Sequence, residues 1–285
     1  MTTGGKRHRF RGAGAVLTAL LLLTAGALFW SNCVLQVESF SFSSPRLPDD
    51  FDGYRLAVLS DLHGASFGKD NRRLLRAVTA QKPDAIAAAG DLVDRFRGVD
   101  WEELKTLADG LSAIAPVYYV TGNHEWATGD AAKIKALLTA AGWTVLSNES
   151  AAVRRGGGEL VLAGIDDPNG YADQKTPETV AAEVHARYGN PFWILLAHRN
   201  DRFETRYSLL GADLTVSGHG HGGMIRLPGT DGLIGTRRDW FPSYTAGFYR
   251  ANGHTVFVSR GLGNSGPSFR LFNRPQVAVL TLKKG

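Results

Sequence analysis

The sequence predicts one α/β domain, in which two packed β-sheets lie between helical layers, preceded by one N-terminal transmembrane helix. Short apolar runs alternate with helical repeats through the first two thirds of the chain, a pattern typical of an α/β domain. Strand patterns dominate the last third, which favours a second sheet. An uncharged apolar segment precedes both regions and is long enough to cross a bilayer.

The N-terminal segment predicts a membrane anchor. Residues 1–11 form a basic tail, and residues 12–37 carry no charged side chain. Trp30 lies near the far end of this apolar run, where an aromatic ring suits the membrane interface. Because basic residues before a span stay in the cytoplasm, we expect a single-pass protein of the cell membrane whose remaining chain is extracytoplasmic. The basic residues of the tail are Lys6, Arg7, Arg9 and Arg11.

A protein exported after signal cleavage is the alternative to an anchor. Ala25-Gly26-Ala27 is similar to the small-residue site at which signal peptides are cleaved. A buried core helix would rarely begin behind a basic tail and lack any polar face. We therefore favour an uncleaved anchor.

The segment after the anchor predicts a linker and then one folded domain. Residues 38–53 are polar and contain two prolines, which indicates a linker into a domain at residues 54–285. Strands are predicted at residues 55–60, 84–89, 117–120, 192–197, 214–217 and 277–282, with short strands over 144–164 and a hairpin over 249–258. Helices are predicted at residues 71–81, 101–113, 130–141 and 179–188. The hairpin should turn at Asn252-Gly253.

Composition limits the classes of partner. The 285 residues carry a net charge of +5, and part of this excess lies in the N-terminal tail. The other basic residues are scattered without interleaved aromatic rings, so they indicate a solvated surface, and nucleic acid is not expected as a partner. The single cysteine, Cys33, excludes an internal disulfide and leaves the compartment open.

Acids, histidines and one asparagine follow the predicted strands directly. These residues are Asp61, His63, Asp91, Asp94, Asn123, His124, His198, His219 and His221. The carboxyl ends of strands are where open α/β sheets bind ligands. Asp-x-His and His-x-His spacing points both side chains of a pair to the same side of an extended segment. The remaining histidines, His8, His185 and His254, we interpret as surface residues.

This set of side chains predicts two metal sites. Two neighbouring divalent ions need several ligands and one carboxylate that can bridge them. A lone aspartate after a strand is usually a helix cap, and a lone histidine is usually an ordinary polar residue. Here such residues follow five predicted strands, and five groups in this order are not expected by chance. Nitrogen and oxygen ligands without thiolate suit Mn, Zn or Fe and argue against a calcium site. Glycines at positions 90, 122, 218, 220, 222 and 223 should let the backbone approach the site and turn sharply.

In their order along the chain, these groups resemble the motifs of the calcineurin-like metallophosphoesterases, and of the membrane-linked bacterial branch in particular. The resemblance begins at about Arg55, runs through the GHGHGG loop and extends towards the C-terminus. It implies a four-layer α-β-β-α sandwich of two mixed sheets flanked by helices. It also implies hydrolysis of a phosphate ester by a metal-bound hydroxide.

The resemblance implies a role for each residue. The metal ligands that it implies are Asp61, His63 and His221 for the first ion, Asn123, His198 and His219 for the second ion, and Asp91 as the bridge. It implies that His124 faces the substrate phosphate, that Asp94 orients His124 and that Arg95 contacts phosphate. Asn200 departs from the proline that is common in the family two residues after the His198 position, which should alter loop shape more than ligation.

The sequence does not identify the substrate, and it leaves two alternative functions. A phosphomonoester, a phosphodiester or a diphosphate would suit the site, and a site near a membrane favours a lipid or glycolipid phosphate. A non-catalytic metal-binding interaction module of the same fold and a nuclease are the alternatives. Several residues could line a substrate pocket or serve as ordinary packing residues: Arg226, Arg237, Arg238, Trp240, Phe241 and Tyr244.

Overall fold

The computed structural model describes residues 4–171, 174–227, 229–236, 238–266 and 268–285. The side chains of residues 4–13 are not described, so the basic tail and His8 cannot be placed. Arg237, one of the candidate pocket residues, also lies outside the described residues.

Six α-helices and twelve β-strands form the described part of the chain. The helices are α1 (Gly4–Cys33), α2 (Arg72–Ala80), α3 (Trp101–Ser112), α4 (Asn123–Ala127), α5 (Ala131–Ala140) and α6 (Pro177–Tyr188). The strands before α6 are β1 (Gln36–Ser44), β2 (Arg55–Leu59), β3 (Ala85–Ala89), β4 (Val117–Val120), β5 (Thr144–Val145), β6 (Glu149–Arg155) and β7 (Gly158–Ile165). The strands after α6 are β8 (Trp193–Arg199), β9 (Leu214–Gly218), β10 (Gly247–Ala251), β11 (His254–Val258) and β12 (Gln276–Lys284).

The strands form two mixed sheets of six strands each. The first sheet has the order β1-β12-β2-β3-β4-β5, in which β2 to β5 run parallel and β12 runs antiparallel to β2. The second sheet has the order β10-β11-β9-β8-β7-β6, with a parallel centre and an antiparallel strand at each edge. Parallel centres bring the carboxyl ends of many strands to one edge of each sheet. The predicted pair of mixed sheets is confirmed.

Strand β2 shows how the layers are specified. Its Leu56 and Val58 lie in the core between the two sheets, whereas Ala57 and Leu59 lie in the core between the first sheet and the helices. Both faces are apolar because a strand in the middle of a sandwich is covered on both sides. Burial of both faces also explains the near-continuous apolar runs from which the central strands were predicted.

Helices cover the outer face of each sheet. Helices α2, α3 and α5 bury Leu74, Leu107 and Ile134 against the first sheet. Helix α6 buries Val180 and Val184 against the second sheet. The order of layers is therefore helix, sheet, sheet, helix, as the sequence predicted.

The segment predicted as a linker instead belongs to the folded domain. Strand β1 pairs in parallel with β12 at the edge of the first sheet, in continuous register from Gln36 to Ser44. Further along the segment, Leu47 and Phe51 are fully buried. The linker prediction was wrong because an edge strand has one solvated face, and its serines gave the segment a polar composition. Strand β1 also begins before the predicted end of the anchor.

Helix α1 projects an almost wholly exposed apolar surface. Its Gly14–Cys33 part has 20 residues and a mean hydropathy of 1.8, which is long and apolar enough to cross a membrane. The leucines in its middle are more than half exposed, so the rest of the domain does not cover them; these are Leu17, Leu20, Leu21, Leu22 and Leu23. Its last turn is tied to the domain, through the buried side chain of Ser31 and through Asn32.

Candidate metal centre

The side chains singled out in the sequence converge at the carboxyl edge of the two sheets. Asp61 and His63 follow β2, Asp91 and Asp94 follow β3, and His219 and His221 follow β9. Asn123 and His124 open helix α4 directly after β4, and His198 lies near the end of β8. Two groups of three candidate ligand atoms, each within 4.8 Å of one another, lie at this edge, and a third group of His63, Asp91 and His124 overlaps both.

The first group contains Asp61, His63 and His221. The Nε2 atoms of the two histidines face each other at 3.1 Å, and Nε2 of His221 lies 3.5 Å from a carboxylate oxygen of Asp61. Two ring nitrogens this close share at most one proton between them, so at least one lone pair points into the gap. Such convergence of lone pairs suits a cation.

The second group contains Asp91, His198 and His219. His198 Nδ1 lies 2.8 Å from the carbonyl oxygen of Ala89, which places the proton on Nδ1 and directs Nε2 towards the site. Nε2 then lies 3.2 Å from Oδ2 of Asp91. This carbonyl fixes the ring in the tautomer that a metal ligand requires.

Asp91 lies between the two groups. Its Oδ2 is 3.6 Å from Nε2 of His63 in the first group and 3.2 Å from Nε2 of His198 in the second. Its Oδ1 accepts a hydrogen bond from the backbone N–H of His124 at 2.8 Å. One carboxylate oxygen therefore holds the side chain in place while the other faces both groups.

The residues present fit divalent ions. Oδ1 of Asn123 is buried and has no hydrogen-bond partner among the described residues. A buried polar oxygen without a partner costs roughly 1–3 kcal/mol, and a cation would remove that cost. All candidate ligand atoms are oxygen or imidazole nitrogen, which suits Mn, Zn or Fe.

Burial and charge set the protonation states at the site. Burial lowers the pKa of His63 to about 4 and holds the pKa of His221 well below its usual value. Both rings are therefore neutral at pH 7, the form that ligates metals. Burial acts to raise the pKa of Asp91, but the rings of His198 and His63 outweigh it and hold that pKa well below its usual range.

The pKa of His198 moves in the opposite direction. Burial acts to lower it, yet the carboxylate of Asp91 raises it to about 10. A proton on Nε2 would prevent ligation, so the proton and a metal ion are alternative ways to supply the positive charge that Asp91 attracts. Binding of a divalent ion would displace this proton.

Five of the seven candidate ligands adopt a left-handed backbone conformation. The φ angles are 50° at Asp61, 49° at His63, 54° at Asp91, 65° at His219 and 46° at His221. Each such conformation at a residue other than glycine costs on the order of 1 kcal/mol and persists only where surrounding contacts enforce it. The backbone thus carries strain at the residues whose side chains converge on the site.

Two glycines allow the loops to approach one another. A Cβ atom at Gly90 would lie 2.6 Å from the backbone nitrogen of Gly122 and 2.8 Å from Nδ1 of His198. A Cβ atom at Gly122 would lie 2.6 Å from the backbone nitrogen of Asp91. Since real Cβ atoms do not come this close, the two loops can approach one another only with glycine at both positions.

Glu125 holds two of these loops together, a role that the sequence analysis missed. One carboxylate oxygen accepts hydrogen bonds from the N–H groups of Asp91 and Gly122 at 3.0 and 2.7 Å. The other accepts from Leu92 and Val93 at 2.7 and 3.4 Å. Burial raises the pKa of Glu125 to about 7, and these N–H donors favour its ionised form.

His124 lies beside the two groups with both ring nitrogens engaged. Its Nδ1 is 3.3 Å from Oδ1 of Asp94 and accepts from the backbone N–H of Arg95 at 3.1 Å. Its Nε2 is 3.2 Å from the hydroxyl of Ser265. Burial lowers the pKa of His124. The side chain of Arg95 is exposed and stacks on Phe96, 4.5 Å from the ring centroid.

Two further residues behind the site came only from the structure. The guanidinium of Arg270 is fully buried and donates to the carbonyl oxygens of Arg260 and Gly263, while its Nη2 lies 3.3 Å from Nδ1 of His221. Arg199 forms an ion pair with Asp167 at 2.7 Å. Asp167 follows β7, so its position after a strand was a usable signal, whereas nothing in the sequence marks Arg270.

Other candidates from the sequence lie outside the cluster. His185 is exposed as predicted, whereas His254 is half-buried, with its Nδ1 3.0 Å from the carbonyl oxygen of Ala212. The departure at Asn200 has a structural reason, since its amide donates to the carbonyl oxygen of Tyr244 at 2.7 Å and ties two loops together.

The fold and the clustered ligands together define a metallophosphoesterase. The family model for calcineurin-like phosphoesterases matches residues 54–223. The chain belongs to this family, which confirms the resemblance stated from its motifs.

The curated relatives include bacterial and vertebrate proteins. An uncharacterized metallophosphoesterase, YkuE, of Bacillus subtilis is 28% identical over 98% of this chain and 97% of its own length. The phosphodiesterase YaeI of Escherichia coli is 28% identical over 82% of this chain and 84% of its own length. A transmembrane protein with a metallophosphoesterase domain of Danio rerio is 30% identical over 84% of this chain, which spans 55% of that relative.

Proposed function

We propose that the chain hydrolyses a phosphate ester with two divalent ions held between the two sheets. The observation that carries this proposal is the position of Asp91, whose one carboxylate oxygen faces a group of ligands on each side. Asp61, His63 and His221 would hold one ion.

The second ion would complete the site. His198 and His219 would hold it together with the buried, unpartnered oxygen of Asn123, and Asp91 would be shared. Two such ions, when bound, supply an activated water and neutralise the charge on the phosphoryl oxygens. Mn, Zn and Fe are the ions expected from this set of ligands.

His124 would act on the substrate rather than on the metals. Its Nε2 faces the hydroxyl of Ser265 at 3.2 Å, so a phosphate oxygen that displaces this hydroxyl would accept a proton from Nε2. Asp94, 3.3 Å from Nδ1, would stabilise the doubly protonated ring, in which Nδ1–H faces this carboxylate and Nε2 holds the proton that is donated. The exposed guanidinium of Arg95 would pair with phosphate at the mouth of the site.

The substrate is proposed to be a phosphomonoester, a phosphodiester or a diphosphate, presented by a lipid or glycolipid. The Escherichia coli relative is named as a phosphodiesterase, which supports ester hydrolysis as the class of reaction. Helix α1 is proposed to cross the cell membrane as an uncleaved anchor, with the domain on the extracytoplasmic side. Its exposed apolar surface supports the crossing.

Two substitutions separate metal binding from chemistry. Asp91→Asn should weaken both metal sites together, because the carboxylate is shared. His124→Ala should keep both metals and lose roughly 10²–10⁴-fold in turnover, the range typical of one general acid. Metal content by elemental analysis and hydrolysis of alkyl phosphate monoesters and diesters, whose poor leaving groups need a general acid, are the measurements, with His185→Ala, an exposed histidine, as the matched control.

Two outcomes would contradict the proposal. If His124→Ala emptied a metal site while its turnover survived, the role of His124 would be wrong. If the metal-loaded wild-type chain hydrolysed no phosphate ester of any tested class, the catalytic function would be wrong and a non-catalytic binding module would be favoured.

A further inference from the structure

The loops beside the metal centre form a small ladder with an apolar exposed surface. The backbone N–H of Arg226 donates to the carbonyl oxygen of Leu271, and that of Leu233 donates to the carbonyl oxygen of Ile225. The N–H of Phe241 in turn donates to the carbonyl oxygen of Leu233. Residues 269–272, 224–227, 233–234 and 240–241 thus lie side by side, and we call them the loop ladder.

Large apolar side chains on the loop ladder are left open to solvent. Five of the nine exposed large hydrophobic side chains that the described residues carry after α1 lie on it. They are Leu227 (43% exposed), Trp240 (69%), Phe241 (70%), Phe269 (51%) and Phe272 (48%). Single exposed apolar residues are ordinary, but a contiguous group of them marks a surface for contact with a partner or a membrane.

One side of the loop ladder is attached to the end of the apolar helix. The hydroxyl of Ser31 accepts from the backbone N–H of Phe272 at 2.8 Å. The Asn32 side chain bonds both the N–H and the carbonyl oxygen of Arg270, each at 2.9 Å. Arg274 lies over the ring of Trp30, 5.0 Å from its centroid. The ladder is therefore held at the level where α1 ends.

The loop ladder is also attached to the candidate metal centre. The Asn273 amide donates to the carbonyl oxygen of His221 at 2.7 Å, and the Arg226 guanidinium donates to that of Gly222 at 2.9 Å. His221 is one of the candidate ligands, so the ladder continues directly from the site. The loop ladder presents exposed aromatic rings, the side chains that partition to membrane interfaces.

We propose that the loop ladder is a membrane-contact surface whose partner is the phospholipid bilayer crossed by α1. Its aromatic side chains lie in the interfacial layer and hold the mouth of the metal centre against the bilayer. A bilayer is favoured over a protein partner because the patch is continuous with the end of a helix that itself has the length and hydropathy of a membrane span. This inference rests on the proposed crossing of α1 and does not depend on the reaction catalysed.

The test uses spin labels on the full chain in phospholipid nanodiscs. In a Cys33→Ser background, single labels are placed by Phe241→Cys and Phe272→Cys on the ladder. Leu209→Cys, an equally exposed apolar position away from the ladder, is the matched control, and Leu21→Cys reports on α1. Labels at 241 and 272 should be accessible to oxygen and protected from a water-soluble nickel chelate, whereas the label at 209 should show the reverse.

The outcomes distinguish the membrane crossing of α1 from the membrane contact of the loop ladder. If the label at 21 lies in lipid but those at 241 and 272 behave like the label at 209, the membrane contact of the ladder is overturned and the crossing of α1 stands. If the label at 21 is itself exposed to the nickel chelate, the crossing is wrong and the ladder contact falls with it.

A second measurement uses a native side chain and needs no label. Brominated phospholipids quench tryptophan fluorescence on contact, so part of the quenching in nanodiscs should be lost in Trp240→Phe. Trp101→Phe, at the start of α3, should keep the full quenching and serves as the control. Equal quenching in Trp240→Phe and the wild-type chain would overturn the proposal.

Discussion

The substitution Glu125→Gln tests whether one buried carboxylate holds the metal-binding loops together. Both oxygens of Glu125 accept backbone N–H groups, from Asp91 and Gly122 on one side and from Leu92 and Val93 on the other. Glutamine keeps the shape of the side chain but replaces one oxygen by an NH₂ group. That group can accept nothing, so in either orientation two backbone donors lose their partner.

The expected loss of stability in Glu125→Gln follows from the lengths of these four hydrogen bonds. A buried donor without a partner costs roughly 1–3 kcal/mol. The two orientations of the amide differ in which pair of backbone donors loses its acceptor. The side chain should turn its NH₂ group towards Leu92 and Val93, because the 3.4 Å bond to Val93 is the weakest of the four. We therefore expect a loss of about 2–4 kcal/mol in the free energy of unfolding.

Urea unfolding of the detergent-solubilised chain, followed by circular dichroism with metal chelated, measures this loss. Glu183→Gln is the matched control, since Glu183 is exposed and its pair with Lys175 should contribute at most about 1 kcal/mol. Glu125→Gln should also bind metal more weakly, because the loop that carries Asp91 would shift. A loss of stability no larger than that of Glu183→Gln would refute this account of the loops.

Further perturbations test other parts of the structure. Gly122→Ala should abolish metal binding, measured by elemental analysis, because the new Cβ would lie 2.6 Å from the backbone nitrogen of Asp91; retained binding would contradict the close approach. Wild-type chain should contain close to two metal ions, and chelation should remove activity that added Mn restores. Asn32→Ala should lower turnover by about tenfold through the loop around Arg270, whereas Thr24→Ala on the same helix should not. Protease added to cells stripped of their outer layers should digest the domain; protection until lysis would place it in the cytoplasm.

Much of the candidate metal centre could be predicted from the sequence because its candidate ligands follow the strands closely. A buried strand is a short apolar run, and the polar residue that follows its last apolar position is directed to the edge of the sheet. Asp61, Asp91 and His219 are recognised in this way without any knowledge of strand order. The hairpin could also be predicted from local sequence, since Asn252 and Gly253 adopt the positive φ angles, 51° and 80°, that such a turn requires.

The tertiary structure decided what depends on partners remote in the chain. Strand β1 was read as a linker because its pairing with β12 joins residues about 240 positions apart, and its own half-exposed composition is polar. The bonds of Asn32 to the loop around Arg270 span a similar distance. The apolar pattern of a strand and the identity of the residue that follows it can be predicted from the sequence, because both depend only on neighbouring residues. Which strand lies beside it, and which buried donor a side chain such as Glu125 satisfies, depends on the packing of the whole domain.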